Sequence, residues 1–233
     1  MQDQTDDLRD RLLDAALPHV PFDGWSEATF RAAVIEAGAD MAAARAVCPR
    51  GAVDLALAYH RRGDEEMRRR IRAAKVEDLR FRDRVATAVR LRIEAITDKE
   101  AVRRGSALFA LPQYAADGAR AIWGTADAIW EALGDASDDY NWYTKRATLS
   151  AVYGATVLYW LGDESPENRD TWAFLDRRIE DVMRIEKVKA EVQKNPVLSK
   201  LAAGPEWVLS RIRPPSRMPR VDLPGFRTRR PGA

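Results

Sequence analysis

The sequence predicts an all-α protein: a helical bundle with a helix-turn-helix-like module at its N-terminus and an amphipathic helix near its C-terminus. Three observations lead there. Apolar residues recur at three- to four-residue intervals through nearly every segment up to about residue 195. No stretch alternates apolar and polar residues in the manner of a half-buried strand. Proline and glycine fall between the periodic segments, where helices end. With 233 residues, 46% of them hydrophobic, the chain can bury a substantial core.

In chain order, Leu8, Leu12, Ala15 and Ala16 form one apolar stripe of a first helix, which starts near Asp6 and stops before Pro18 and Pro21. A turn at Phe22-Asp23-Gly24-Trp25 follows. Ser26 and Thr29 offer caps for a second helix, which Gly38 closes after Ala37. A short helix from Asp40 to Val47 ends at the break of Pro49, which completes a helix-turn-helix layout. After a break expected at Gly63-Asp64, an Arg-rich helical region runs to about Ile96. Its core contacts are Met67, Ile71, Ala74, Phe81, Val85, Val89 and Ile93. Helices follow over about Lys99 to Ala110 and Asp117 to Leu133, the second with Trp123 and Trp130 one heptad apart. Asp138 is then placed to cap a long helix to Leu161, apolar on nearly all sides after Arg146 and therefore expected to be central and buried. A last helix is expected to begin at Pro166 as a first-turn proline and to present Trp172, Phe174, Leu175, Ile179, Val182 and Met183.

The formal charge of +2 conceals blocks of opposite sign. Residues 1–60 carry 5 basic and 10 acidic groups, 61–92 carry 12 and 6, 93–195 carry 13 and 18, and 196–233 carry 8 and 2. In the helix-turn-helix-like module, the helix that would enter a DNA groove reads Asp40-Met41-Ala42-Ala43-Ala44-Arg45-Ala46-Val47. It offers base edges one arginine and several methyl groups, within a block whose net −5 repels phosphates. The expectation is a module over 1–62 without DNA-binding chemistry, a helical domain over 63–195, an amphipathic helix over 196–213 and a disordered basic tail over 214–233. From Arg213 that tail holds six arginines, five prolines and one acid.

Catalytic chemistry finds no foothold. The sequence has no phosphate-binding loop and no Gly-x-Gly-x-x-Gly; its histidines, His19 and His60, are too few for a histidine-built metal site, and its single cysteine, Cys48, reads as a small buried hydrophobe. No catalytic residue, metal or cofactor is expected. The acids of the first seven residues, Asp3, Asp6 and Asp7, argue against a secretory or organellar leader, and the longest charge-free apolar run, Ala147 to Leu161, is 15 residues, short of a span. A cytoplasmic location is expected.

Two features point to lipid. Seven Trp and six Tyr concentrate on the later helices, and large rings there can line an apolar cavity; the candidate lining residues are Trp123, Trp130, Tyr153, Val157, Trp160 and Phe174. On a helical projection from Val197, the residues Val197, Leu198, Leu201, Val208, Leu209 and Ile212 share one face. Lys200, Glu206, Arg211 and Arg213 lie outside that face, and Trp207 adds a ring suited to an interface. That pattern suits the surface of an anionic membrane, although Gly204-Pro205 interrupts it. Val197, Leu198, Leu201, Trp207, Val208 and Ile212 are the candidate membrane residues.

Two stretches, Leu12-Leu13-Asp14-Ala15-Ala16-Leu17-Pro18-His19-Val20-Pro21-Phe22-Asp23-Gly24-Trp25 and Gly134-Asp135-Ala136-Ser137-Asp138-Asp139-Tyr140-Asn141-Trp142-Tyr143-Thr144-Lys145-Arg146, resemble the COQ-nine family of coenzyme Q biosynthesis. Asp163-Glu164-Ser165-Pro166 and Thr171-Trp172-Ala173-Phe174-Leu175 continue the match, so that it covers about residues 8–212. The resemblance implies a TetR-like fold and a non-enzymatic, lipid-binding accessory role. Such a protein binds isoprenoid quinone intermediates at a membrane and presents them to a ring hydroxylase, either the di-iron demethoxyquinone hydroxylase or a flavin hydroxylase. The family's partner surface includes a Trp-Tyr pair, which falls on Trp142 and Tyr143; core packing is the plain reading of these two residues alone. The expected setting is the inner membrane of a bacterium, with pairing into a homodimer and no nucleic-acid partner. The competing reading is a TetR-type ligand-responsive repressor.

Overall fold

A computed structural model describes residues 2–135 and 140–194, with side chains over 5–135 and 142–184. Every regular element among them is helical: α1 (Gln2–Ala16), α2 (Val20–Asp23), α3 (Glu27–Glu36), α4 (Met41–Val47), α5 (Ala52–Ala73), α6 (Phe81–Glu94), α7 (Lys99–Phe109), α8 (Ala115–Ala132), α9 (Tyr140–Gly162) and α10 (Arg169–Lys194), with short 3-10 turns at Val76–Asp78 and Pro166–Asn168. Local chemistry sets several boundaries. The side chains of Ser26, Asp40 and Asp98 each accept the backbone N–H three residues on, so α3, α4 and α7 start where an oxygen is available to an orphan donor. Gly38 takes a φ of +60° just after α3, and the chain reverses into α4.

Two apolar clusters hold the molecule. One gathers Leu12, Leu13, Phe30, Ala44 and Cys48 from α1 to α4 with Leu55 of α5 and Ala101 of α7. The other joins Met67 and Ile71 of α5 to Val89 and Ile93 of α6, Ile129 of α8, Leu149 and Tyr153 of α9, and Leu175 and Ile179 of α10. Helix α5 therefore belongs to both.

Four local expectations are corrected. The chain does not break at Gly63-Asp64: α5 runs through these residues. Glycine there meets a packing need, because a Cβ at position 63 would lie 2.6 Å from Nη1 of Arg92. The Arg-rich region is instead divided after Ala73, where Lys75 turns left-handed (φ 47°) and the chain re-enters a helix at Phe81. Phe22 and Asp23 are not in an open turn but complete the single helical turn α2, with Gly24 reversing the chain at φ +66°. Pro166 does not open the last helix. Glu167 and Asn168 adopt positive φ, and α10 starts at Arg169. Asp163 anchors that start, its carboxylate accepting the backbone N–H of Ser165 (2.8 Å) and Thr171 (2.9 Å) and the hydroxyl of Thr171 (2.5 Å).

Helix α9 is central on one side only. Leu149, Val152, Tyr153 and Trp160 are buried, whereas Leu158 is 66% exposed and Tyr159 is 40% exposed. An all-round apolar sequence fixes no face by itself; its neighbours α8 and α10 cover part of the circumference and leave the rest open. The capping position Asp138, the amphipathic segment 196–213 and the tail 214–233 lie outside the described residues.

Candidate functional site

Helices α5, α7, α8 and α9 line an open-sided cavity of about 410 Å³. It exists because small residues face one another on these four helices. Ala56 comes from α5, Ala101 and Gly105 from α7, Gly118 and Ala121 from α8, and Gly154 from α9. Large rings border the space without filling it. Trp25 packs at its edge, 6.0 Å from Tyr59 between ring centres, and its indole N–H donates to the Ala101 carbonyl (3.0 Å). Leu158, exposed, lies on its lining. The volume falls in the range of small-molecule sites, and the lining is mostly hydrocarbon.

Behind His60, which lines the cavity, lies a buried polar group. Arg92, 2% exposed, donates from Nε to Oδ1 of Asp64 (2.6 Å) and from Nη2 to the His60 carbonyl (2.9 Å). The Thr125 hydroxyl donates to the same Asp64 oxygen (2.8 Å). His60 Nε2 lies 3.1 Å from the Ala121 carbonyl and 2.8 Å from Thr125 Oγ1. A carbonyl only accepts, and the Thr125 proton is directed to Asp64, so Nε2 carries the imidazole proton. Burial lowers the His60 pKa to about 4, helped by the neighbouring Arg92 guanidinium and opposed by Asp64. The ring is neutral near pH 7. Burial likewise raises the phenol of Tyr153, which stands beneath the Arg92 guanidinium at 5.7 Å and stays protonated. The group therefore combines one compensated ion pair with neutral hydrogen-bonding groups.

The six candidate lipid residues are distributed over several environments. Tyr153 and Val157 line the large cavity. Trp130 borders a smaller one of about 170 Å³, with Phe81 stacked on it at 5.8 Å. Trp160 is buried under the Lys99 ammonium (5.0 Å), and Phe174 stacks on Tyr159 (4.6 Å). Trp123 joins the pair Trp142 and Tyr143, at 6.1 and 6.5 Å. That trio is half-buried between α8 and the first turns of α9. Trp142 lies over the guanidinium of Arg146 (3.9 Å), which is itself held by Asp127 (2.5 Å) and Asp135 (3.3 Å). The membrane candidates Val197, Leu198, Leu201, Trp207, Val208 and Ile212 lie outside the described residues.

Sequence reading missed Trp25, Tyr59, His60 and the small residues of the cavity. The spacings Ala101/Gly105 and Gly118/Ala121 are the signal that was present, since small residues one turn apart on neighbouring helices leave either close contact or space. Among the described residues, no group of three or more His, Cys, Asp or Glu is arranged to hold a metal ion, and no helix is long and apolar enough to cross a membrane.

This is a TetR-like all-α protein with an apolar chamber in its bundle. Its architecture matches a TetR transcriptional regulator from Nitrosomonas europaea with a TM-score of 0.61, at 20% identity, over 75% of this chain and 97% of that one. In sequence the chain is related to the COQ9 family, whose model matches residues 115–186. It is 32% identical over 197 residues to the mitochondrial ubiquinone biosynthesis protein COQ9 of Rattus norvegicus, covering 80% of this chain and 62% of that protein. The corresponding proteins of Homo sapiens and Drosophila melanogaster are each 31% identical, over 80% and 82% of this chain and 61% and 60% of theirs. The chain thus spans about three-fifths of the length of the curated relatives it matches.

Proposed function

We propose that this protein acts in ubiquinone biosynthesis as a non-enzymatic lipid-binding accessory protein. It holds an isoprenoid quinone intermediate in the chamber between α5, α7, α8 and α9 and presents it at a membrane surface to a ring hydroxylase. The observation that carries the reading is the apolar chamber of about 410 Å³, large enough for part of a polyisoprenoid chain. The relationship to COQ9 proteins supplies the pathway. Trp142 and Tyr143 offer a half-buried aromatic surface to the hydroxylase, and the amphipathic segment ending in a basic tail offers the contact with anionic lipid. No residue of the chain does chemistry in this scheme.

The alternative, a ligand-responsive repressor, has the fold in its favour. The charge of α3 and α4 weighs against it. Arg45, the cation of the groove-facing helix, is ion-paired with Glu27 and packs over Phe30, and residues 1–60 sum to −5. Native mass spectrometry of the purified protein, followed by organic extraction, separates the two readings. A co-purifying isoprenoid quinone or related lipid is expected. A ligand-free chain that shifts duplex DNA at low salt overturns the proposal in favour of the repressor.

A further inference from the structure

The chamber does not end at His60 and Tyr153. A second cavity of about 250 Å³ lies on the other side, and Tyr59, His60, Val102 and Tyr153 line both. The second cavity differs in character: Gly63, Glu66, Arg92 and Thr97 contribute to it, where the first is lined by alanine, glycine and rings. An amphiphile placed with its tail in the larger space meets hydrogen-bonding groups at this junction.

The protons already assigned at the junction decide what those groups can accept. The His60 Nε2–H is engaged by Ala121 and Thr125, the Thr125 hydroxyl hydrogen by Asp64, and the Asp64 oxygen also by Arg92. The other imidazole nitrogen, Nδ1, has no hydrogen-bond partner among the described residues, and as the unprotonated nitrogen of a neutral ring it is a pure acceptor. The protonated phenol of Tyr153, on a residue only 3% exposed, lines the same junction. A ligand without a donor leaves this acceptor desolvated and unpaired, whereas a hydroxylated ring satisfies it.

We infer that the chamber selects amphiphiles whose head group carries a hydroxyl, with the ligand O–H donating to His60 Nδ1 at the junction of the two cavities and the apolar tail lying along Gly118, Ala121 and Val157. The inference rests on the lipid-binding reading given above and narrows it to intermediates whose ring carries a free hydroxyl, a phenol or a quinol, over the oxidised quinone, which has only acceptors. The Asp64–Arg92 pair holds the histidine tautomer through Thr125 and takes no part in contact with the tail.

The test compares 4-nonylphenol with its methyl ether, 4-nonylanisole, which keeps ring and tail and lacks the donor. Titrated calorimetrically into the full chain, the phenol is expected to bind at least about tenfold more tightly than the ether. In His60→Leu the two are expected to agree within about twofold, with the ether's affinity close to that for the unsubstituted chain, which also serves as the folding control. The 15N resonance of His60 Nδ1 in the unsubstituted protein provides a second readout: it is expected to move on adding phenol and to stay in place with ether. Equal affinities, a preference that persists in His60→Leu, or an Nδ1 resonance indifferent to phenol overturns the head-group inference and leaves lipid binding standing. Failure of both compounds to bind overturns the lipid-binding reading as well.

Discussion

Arg92 is charged and 2% exposed, and it is tolerated in the core because Asp64, Thr125 and the His60 carbonyl meet its charge and that of its partner at 2.6 to 2.9 Å. Removing one member strands the other. Arg92→Met should therefore cost about 3–5 kcal/mol in urea unfolding, with much of the loss recovered when Asp64→Leu is added. A stability loss under about 1 kcal/mol for the single variant would mean that water reaches the pair. His60 gives the group a pH signature. Its folded pKa, about 4, lies below the ordinary 6.5 because burial and Arg92 disfavour the imidazolium. The unfolded chain thus takes up a proton between pH 6.5 and 4 that the folded chain refuses, so stability is full above about 6.5 and falls as pH drops through that window. The loss is on the order of 2 kcal/mol. Comparing thermal unfolding of the unsubstituted chain and His60→Gln from pH 7.5 to 4.5 isolates this contribution, which the variant should lack.

The helices themselves were largely legible. Ser26, Asp40 and Asp98 cap where their side-chain chemistry suggests. Asp98→Ala removes the oxygen that accepts the Ala101 N–H (3.0 Å) and should destabilise the chain by about 1 kcal/mol, visible as an equal shift in the urea midpoint energy. What misled at this scale was glycine and proline as punctuation. Gly63 lies within α5 because Arg92 needs the room. Pro166 sits in a 3-10 turn because Asp163, three residues earlier, gathers the donors that start α10. Neither reason is local in the sequence. The segment 197–212 is read as an amphipathic element from its apolar face alone, and Trp207→Asp should weaken co-flotation with liposomes rich in anionic lipid, by about tenfold or more in partition. Unchanged flotation removes the membrane role.

At the scale of the molecule, two apolar clusters share α5, and the chamber opens where four helices present small residues to each other. Gly154 lies on that lining, and a Cβ there meets only Ile122, at 3.8 Å. Gly154→Leu should accordingly fold while filling part of the chamber, and lipid recovered by extraction should fall several-fold against the unsubstituted chain; undiminished recovery places the lipid elsewhere. The sequence by itself determined the helical class, the order of the N-terminal helices and the resemblance to COQ9 proteins, because periodicity, capping and motif identity are properties of neighbours along the chain. Only the tertiary structure decided which aromatic residues border a cavity, which are merely packed, and that His60, Asp64 and Arg92 join in one polar network. Those outcomes depend on small residues of α5, α7, α8 and α9 facing one another, and a contact between helices distant in sequence leaves no period to read.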